Sequence, residues 1–70
     1  MDLVALLGRN VRRQRHALGL SQEQLALEAG MKRSYVSELE RGLRNPTVRA
    51  LGRLADALAV DPTLLLTAGE

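Results

Sequence analysis

The chain has 70 residues, no cysteine and a single aromatic side chain, and 46% of its residues are hydrophobic. This length allows one domain, which we assign to residues 1–70, with a small aliphatic core. The lack of cysteine excludes disulfides and thiolate metal sites and suits a reducing compartment. Because no apolar run approaches the ~18–20 residues of a membrane span, we expect a cytoplasmic protein that does not contact a membrane.

Charge is distributed unevenly along the chain. Residues 1–53 carry all ten lysines and arginines against five acidic residues, a net charge of +5, whereas residues 54–70 carry three acidic residues and no base. A basic body with an acidic end is what a one-sided contact with a polyanion requires. On this feature alone, ordinary solvated charge is the alternative.

The first predicted helix covers residues 2–18. Its apolar face carries Val4, Leu7, Val11 and Leu18 at helical spacing. The opposite side is basic and carries Arg9, Arg12, Arg13 and His16. Gly8 weakens the helix interior by about 1 kcal/mol relative to alanine, so we expect another helix to approach closely there. Gly19 then ends the helix.

The segment from Ser21 to Gly42 predicts two short helices, at about 22–29 and 33–41, joined by a turn at Gly30. Ser21 and Gln24 form a Ser-x-x-Gln capping box at its start. The inward residues are Leu25, Ala26, Ala29, Val36 and Leu39, and the outer arc of the second helix carries Arg33, Ser34, Ser37, Glu38 and Arg41. This pattern is typical of a DNA-binding helix-turn-helix. Plain solvation is the alternative for the outer arc, although solubilising faces more often repeat Glu and Lys at i, i+4.

Two further helices are predicted after Asn45. Thr47 caps the first, whose apolar face carries Val48, Leu51, Leu54, Ala55 and Leu58. Asp61 and Pro62 begin the second, which extends to Thr67. Its three adjacent leucines, residues 64–66, cannot all face one core because consecutive helical positions diverge by about 100°. We therefore expect at least one of them to meet a partner, with completion of the core as the alternative for each.

The sequence resembles the phage-repressor type of helix-turn-helix protein, the Cro and XRE-like regulators. The resemblance covers roughly residues 7–66 and rests on LGLSQEQLA at 18–26, the Gly30 turn, VSELERG at 36–42, RNPTVRAL at 44–51 and LADALAVDPTLLL at 54–66. It implies an all-α, compact five-helix bundle, usually dimeric, that regulates transcription from a pseudo-palindromic operator. Helix 3 would enter the major groove of double-stranded DNA, and helix 2 would lie across the backbone.

The resemblance also implies roles for individual residues. The base-reading positions correspond to Arg33, Ser34 and Glu38, with Ser37 as a further candidate, and the phosphate-binding positions to Gln22, Arg41, Arg44 and Asn45. Lys32 replaces the Ser or Thr cap of many relatives, which costs about 1 kcal/mol of capping but places a cation near the phosphates. Arg15 and Glu40 match a pair that bridges helices 1 and 3 in some members. Tyr35 is left between lateral packing and a phosphate contact.

Self-association is expected through Val60, Leu64, Leu65 and Leu66. An adaptor or antitoxin-like module that keeps the fold without using DNA is the alternative function. Catalysis is not expected, because the only histidine, His16, has no nearby Asp or Cys and no nucleophile–base pair is present. Nor does the sequence contain a Gly-rich phosphate loop or a metal-ligand cluster. We therefore predict double-stranded DNA and a second copy of the chain as partners, with no cofactor, metal or small-molecule ligand.

Overall fold

Four α-helices and one short 3-10 helix form the computed structural model, which describes residues 1–69. The elements are α1 (Leu3–Ala17), α2 (Gln22–Ala29), α3 (Arg33–Glu40), α4 (Val48–Leu58) and the 3-10 helix (Pro62–Leu66). Within residues 1–69 there is no strand, and no helix is both long and apolar enough to cross a membrane. Glu70, which the domain and charge predictions include, lies outside the described residues.

The predicted all-α architecture is confirmed, with a correction to its last element. Residues 62–66 form a 3-10 helix rather than an α-helix. Its hydrogen bonds connect residues three apart, as in the bond from the Leu64 N–H to the Asp61 carbonyl oxygen at 2.9 Å. Short segments adopt this tighter geometry more readily than long ones.

The core is aliphatic and receives side chains from all five elements. Its large, fully buried members are Val11, Leu25, Val36, Leu39, Leu54, Leu58 and Leu65. Helix α2 packs against α3 and α4, while α1 packs against α3 and the 3-10 helix. Burial of each such side chain contributes roughly 1.5–3 kcal/mol. This shared core stabilises α2 and α3, whose eight residues each are too few for a stable isolated helix.

Two residues predicted to face the core are exposed instead. Leu18 is 51% exposed because it is the C-cap of α1 and no longer follows the helical face. Val48 is 86% exposed because it is the first residue of α4, which reaches the core only from Ala50 onward. Both errors lie at helix ends, where a periodic pattern extends beyond the part of the helix that is packed.

Asn10 is buried, although the sequence pattern did not assign it to the core. Its amide nitrogen Nδ2 donates to the carbonyl oxygens of Leu65, at 2.9 Å, and Thr67, at 3.1 Å. These bonds tie the C-terminal segment across α1. A buried amide is tolerated here because it is paired with two backbone acceptors.

The turn between α2 and α3 has the predicted local chemistry. The Ser21–Gln24 capping box is present at the start of α2. Gly30 ends that helix with φ of +69°, a left-handed conformation that glycine adopts without steric cost. The Met31 N–H then bonds back to the Ala26 carbonyl oxygen at 2.8 Å, which closes the helix end.

Gly8 lies where α1 meets α3, and the predicted close helix contact is confirmed. A Cβ atom at this position would collide with the backbone carbonyl oxygens of Leu39 and Glu40. The two helices therefore approach through backbone rather than through side chains. This contact positions the end of α3 on the body of the molecule.

Candidate nucleic-acid interface

Helix α3 presents a polar face outside the core. Arg33 and Ser34 are exposed and Ser37 is half-buried, and none of these three side chains forms a hydrogen bond within residues 1–69. The opposite side of the helix buries Val36 and Leu39 completely. Glu38, the fourth predicted base-reading residue, is half-buried and paired, as described below. The three unpaired side chains are free to contact a ligand that lies along α3.

A buried ion pair holds α3 to α1. The Arg15 guanidinium donates from Nε to Glu40 Oε2 at 2.7 Å and from Nη2 to Glu40 Oε1 at 2.9 Å. Its Nη1 donates to the Leu20 carbonyl oxygen at 2.9 Å, so each guanidinium nitrogen has an acceptor. Two parallel bonds fix the geometry of both side chains. The predicted bridge between helices 1 and 3 is confirmed.

Gln22, the first residue of α2, extends this network to a third helix. Its Nε2 donates to Glu40 Oε1 at 3.1 Å, which uses one of its two amide hydrogens. The second hydrogen is left for another acceptor at the N-terminus of α2, where the helix dipole favours an anion. The structure therefore connects the predicted phosphate-binding glutamine directly to the pair that positions α3.

The ionisation of this network follows from its surroundings. Burial alone would raise the pKa of Glu40, but the hydrogen bonds from Arg15 and Gln22, with the attraction of Arg15 and Arg12, hold that pKa below its usual value. The hydrogen bond to Glu40 raises the pKa of Arg15 against the effect of desolvation, with further help from charge attraction. Both groups are therefore charged at neutral pH.

The N-terminus of α3 adjoins a basic groove of about 370 Å³ between the Gly30 turn and α4. Its polar lining consists of Lys32, Ser34, Tyr35, Arg44, Asn45, Thr47 and Arg53. Lys32 occupies the N-cap position of α3 but makes no side-chain cap, so the first backbone N–H groups of α3 have no such acceptor. Four residues predicted near DNA from the sequence thus line one concave surface.

Arg53 in this groove was missed by the sequence analysis as a candidate for an anion contact. It had been placed only on the outer side of its helix, and nothing local indicated that this side would lie beside Lys32 and Arg44. Arg41, by contrast, was predicted as a phosphate contact and does not line the groove. It is the exposed C-cap of α3.

Glu38 and Arg44 form a second ion pair, at the surface. Arg44 Nε donates to Glu38 Oε1 at 2.7 Å, and the guanidinium carbon lies 5.3 Å from the centre of the Tyr35 ring. Tyr35, whose role the sequence left undecided, therefore supports Arg44 from below. The predicted base-reading carboxylate and the predicted phosphate-binding arginine contact each other in this structure.

The C-terminal leucines differ in their exposure. Leu65 is fully buried in the core, so its prediction as a dimer-interface residue is wrong; one of three consecutive side chains completes the monomer instead. Leu64 and Leu66 are about 40% exposed and Val60 is half-buried. A second, apolar groove of about 180 Å³ joins Leu66 to Leu3 and Val48, two exposed residues that the interface prediction did not include.

The described part of the chain shows no arrangement of metal ligands. Among residues 1–69, no three His, Asp or Glu side chains lie together in a way that could hold a metal ion. His16 lies exposed on α1. The chemistry that the surface offers is therefore hydrogen bonding and positive charge, which is the chemistry of binding to a polyanion.

Comparison with known proteins identifies the arrangement. A family model described as helix-turn-helix matches residues 11–65. The chain belongs to the Cro/XRE-type helix-turn-helix family. Within it, the chain is 46% identical over 67 residues to an HTH-type transcriptional regulator of Sinorhizobium fredii, an alignment that covers 96% of this chain and 87% of the relative.

Two solved structures of helix-turn-helix proteins resemble this one. The restriction-modification controller protein C.AhdI of Aeromonas hydrophila is 44% identical with a TM-score of 0.86, over 89% of this chain and 94% of that one. The controller protein C.Esp1396I, determined as a tetramer in complex with its natural 35-base-pair operator, is 28% identical with a TM-score of 0.83, over 90% of this chain and 83% of that one.

Proposed function

We propose that this helix-turn-helix protein is a sequence-specific regulator of transcription that binds double-stranded DNA as a homodimer. The observation that carries the proposal is the position of α3. Its outer side chains Arg33, Ser34 and Ser37 are unpaired, while the network of Arg15, Glu40 and Gln22 fixes the helix to α1 and α2. A helix held in this way can enter the major groove without a change of fold.

Direct readout is assigned to α3. Arginine binds guanine O6 and N7 through two bonds, glutamate accepts from cytosine N4, and serine tolerates several bases. Arg33, Glu38, Ser34 and Ser37 therefore supply the base contacts. The phosphate contacts are assigned to Gln22, Lys32, Arg41, Arg44 and Asn45. Arg53 joins them because it lines the same groove as Lys32 and Arg44.

The proposed dimer rests on the apolar surface near the C-terminus and on the relatives. Leu64, Leu66 and Val60 remain accessible after Leu65 has been buried in the core. The controller protein C.Esp1396I binds its operator as a tetramer. In a dimer, two copies of α3 would lie about 34 Å apart, one turn of DNA, and would select a site with two-fold symmetry.

We further propose that residues 1–70 act as a single domain in the cytoplasm, without a cofactor and without catalysis. Support comes from the family, whose named relatives are regulators of transcription rather than enzymes. The relatives named above from Sinorhizobium and Aeromonas are bacterial, and bacterial DNA lies in the cytoplasm.

The proposal is tested by selecting bound duplexes from a random pool at near-physiological salt and sequencing them. A pseudo-palindrome with half-site centres about 10–11 base pairs apart is expected. The double charge reversal Arg33→Glu and Arg44→Glu should abolish recovery of that motif. Recovery without a motif, with affinity that collapses as salt rises, would reduce the activity to phosphate binding and favour the adaptor function.

A further inference from the structure

Glu38 occupies an unusual position for a carboxylate, on the face of α3 that the proposed function turns toward DNA. A lone negative charge there would be repelled by the phosphate backbone. The structure instead pairs it with Arg44, whose Nε donates to Oε1 at 2.7 Å. An exposed ion pair of this kind adds little to the stability of the fold. Its place in the molecule therefore requires a different explanation.

The backbone brings the two residues together. Gly42 follows α3 with φ of +76°, and the Leu43 N–H bonds back to the Glu38 carbonyl oxygen at 2.9 Å. This reversal returns the chain alongside the last turn of α3, so that the next side chain, Arg44, lies over Tyr35 and reaches Glu38. Both the turn and the aromatic ring restrict the guanidinium before any ligand is bound.

The pair leaves specific groups unused. Within residues 1–69, Glu38 Oε2 accepts no hydrogen bond, and Arg44 Nη1 and Nη2 donate none. A carboxylate held by one oxygen has its second oxygen available in a fixed direction. That oxygen can accept from the exocyclic amino group of cytosine, but it would be repelled by O6 and N7 of guanine and by O4 of thymine.

We propose that Arg44 is a specificity-positioning residue, which neutralises and aims Glu38 so that its free oxygen reads cytosine N4. This inference rests on the proposed function and adds a task to Arg44 beyond phosphate binding. Tyr35 serves as the platform that keeps the guanidinium in place. The readout of one base pair in each half-site is thereby controlled by a residue outside α3.

The test uses the full chain and the motif recovered with the wild-type protein. Binding to that duplex and to its single-base variants is measured by fluorescence anisotropy, and Glu38→Gln identifies the position that Glu38 reads. Arg44→Lys keeps a positive charge but lacks the Nε donor. We expect it to lower the preference for cytosine at that same position about tenfold while retaining most of the affinity for the other bases.

Arg41→Ala is the matched control, since Arg41 lies at the end of α3 but outside the pair. It should weaken binding to all duplexes by a similar factor and leave the cytosine preference unchanged. In the double variant Glu38→Gln and Arg44→Lys, the preference at this position should equal that of Glu38→Gln alone. Circular dichroism melting of each variant establishes that the fold is intact.

The outcomes separate the inference from the proposed function. A wild-type protein that recovers no motif contradicts both. A motif whose cytosine preference survives Arg44→Lys unchanged contradicts the inference alone, because Arg44 would then act as a phosphate contact only. The same conclusion follows if Arg44→Ala weakens every duplex by one common factor.

Discussion

Asn10 donates from one amide nitrogen to the carbonyl oxygens of both Leu65 and Thr67, across 55 and 57 residues of sequence. The side chain is buried, and its removal leaves the Leu65 carbonyl oxygen without this donor. We expect Asn10→Ala to lower the free energy of unfolding by about 1–3 kcal/mol. Urea denaturation followed by circular dichroism measures the change.

Asn45→Ala is the control for this experiment, since the same residue type is exposed in the loop before α4. It should change the free energy of unfolding by less than about 0.5 kcal/mol. Equal effects of the two substitutions would mean that the bonds of Asn10 do not stabilise the fold.

Gly8 and Gly52 make opposite predictions for the same substitution. Gly8→Ala places a methyl group against the backbone carbonyl oxygens of α3, so we expect a loss of about 1–3 kcal/mol in the free energy of unfolding. Gly52→Ala meets no atom within 4 Å and should gain about 0.5–1 kcal/mol from helix propensity. Thermal melts of the two variants beside the wild type are sufficient. A harmless Gly8→Ala would contradict the close packing of α1 on α3.

Glu40→Gln keeps the shape of the side chain but removes the charge that pairs with Arg15. We expect it to lower the free energy of unfolding at pH 7 by about 1–3 kcal/mol, because Arg15 remains buried without a counter-ion. Glu38→Gln, at the exposed pair with Arg44, should cost no more than about 1 kcal/mol. Urea titrations at pH 7 distinguish the buried pair from the surface pair.

The contribution of Glu40 should also depend on pH. Its pKa is lower in the folded state than the ordinary value of 4.5, so the unfolded chain binds the proton more readily. The stabilisation is therefore fully present above pH 4.5 and is lost as the pH falls through the lower folded value. The difference in unfolding free energy between the wild type and Glu40→Gln should shrink over that acidic range. A difference that stays constant down to pH 2 would exclude this linkage.

Lys32 and Arg33 are neighbours with different assigned roles, and substitution separates them. Arg33→Ala should relax one base in each half-site by about 1–3 kcal/mol, because its bidentate contact is lost. Lys32→Ala should weaken binding to all sequences and reduce the slope of log affinity against log salt by about 0.9 for each site. Anisotropy titrations at several salt concentrations measure both effects. The assignment is wrong if the two variants change the base preference alike.

The adjacent leucines test the proposed dimer. Leu65→Ala should cost about 2–5 kcal/mol of unfolding free energy, because a fully buried side chain is removed from the core. The double variant Leu64→Ser and Leu66→Ser should remain folded but sediment as a monomer at concentrations where the wild type is dimeric. Sedimentation velocity and circular dichroism are measured on the same samples. An unchanged sedimentation coefficient would place the dimer interface elsewhere.

Local chemistry made much of this structure predictable. The Ser21–Gln24 box, the Gly30 turn and the uncapped Lys32 depend on residues within a few positions of each other, and all three are present. The Arg15–Glu40 bridge lies beyond such reasoning, since 25 residues separate its partners. It was predicted from the family resemblance.

What escaped prediction depends on the tertiary arrangement. The burial of Asn10 requires that the C-terminal segment cross α1, and no pattern near residue 10 contains that information. The choice of Leu65 for the core depends on the phase of a short 3-10 helix, which an α-helical period misplaces. Arg53 joined the candidate site only because α4 lies beside the start of α3.

The unpaired outer side chains of α3 have a consequence for how this molecule can evolve. Arg33, Ser34 and Ser37 form no hydrogen bond within the described chain, whereas Val36, Leu39 and Glu40 on the other side hold the helix in place. Substitutions at the first three positions therefore leave the scaffold largely untouched. A duplicated copy of this protein can acquire a new DNA address through a few exchanges without first having to regain a fold.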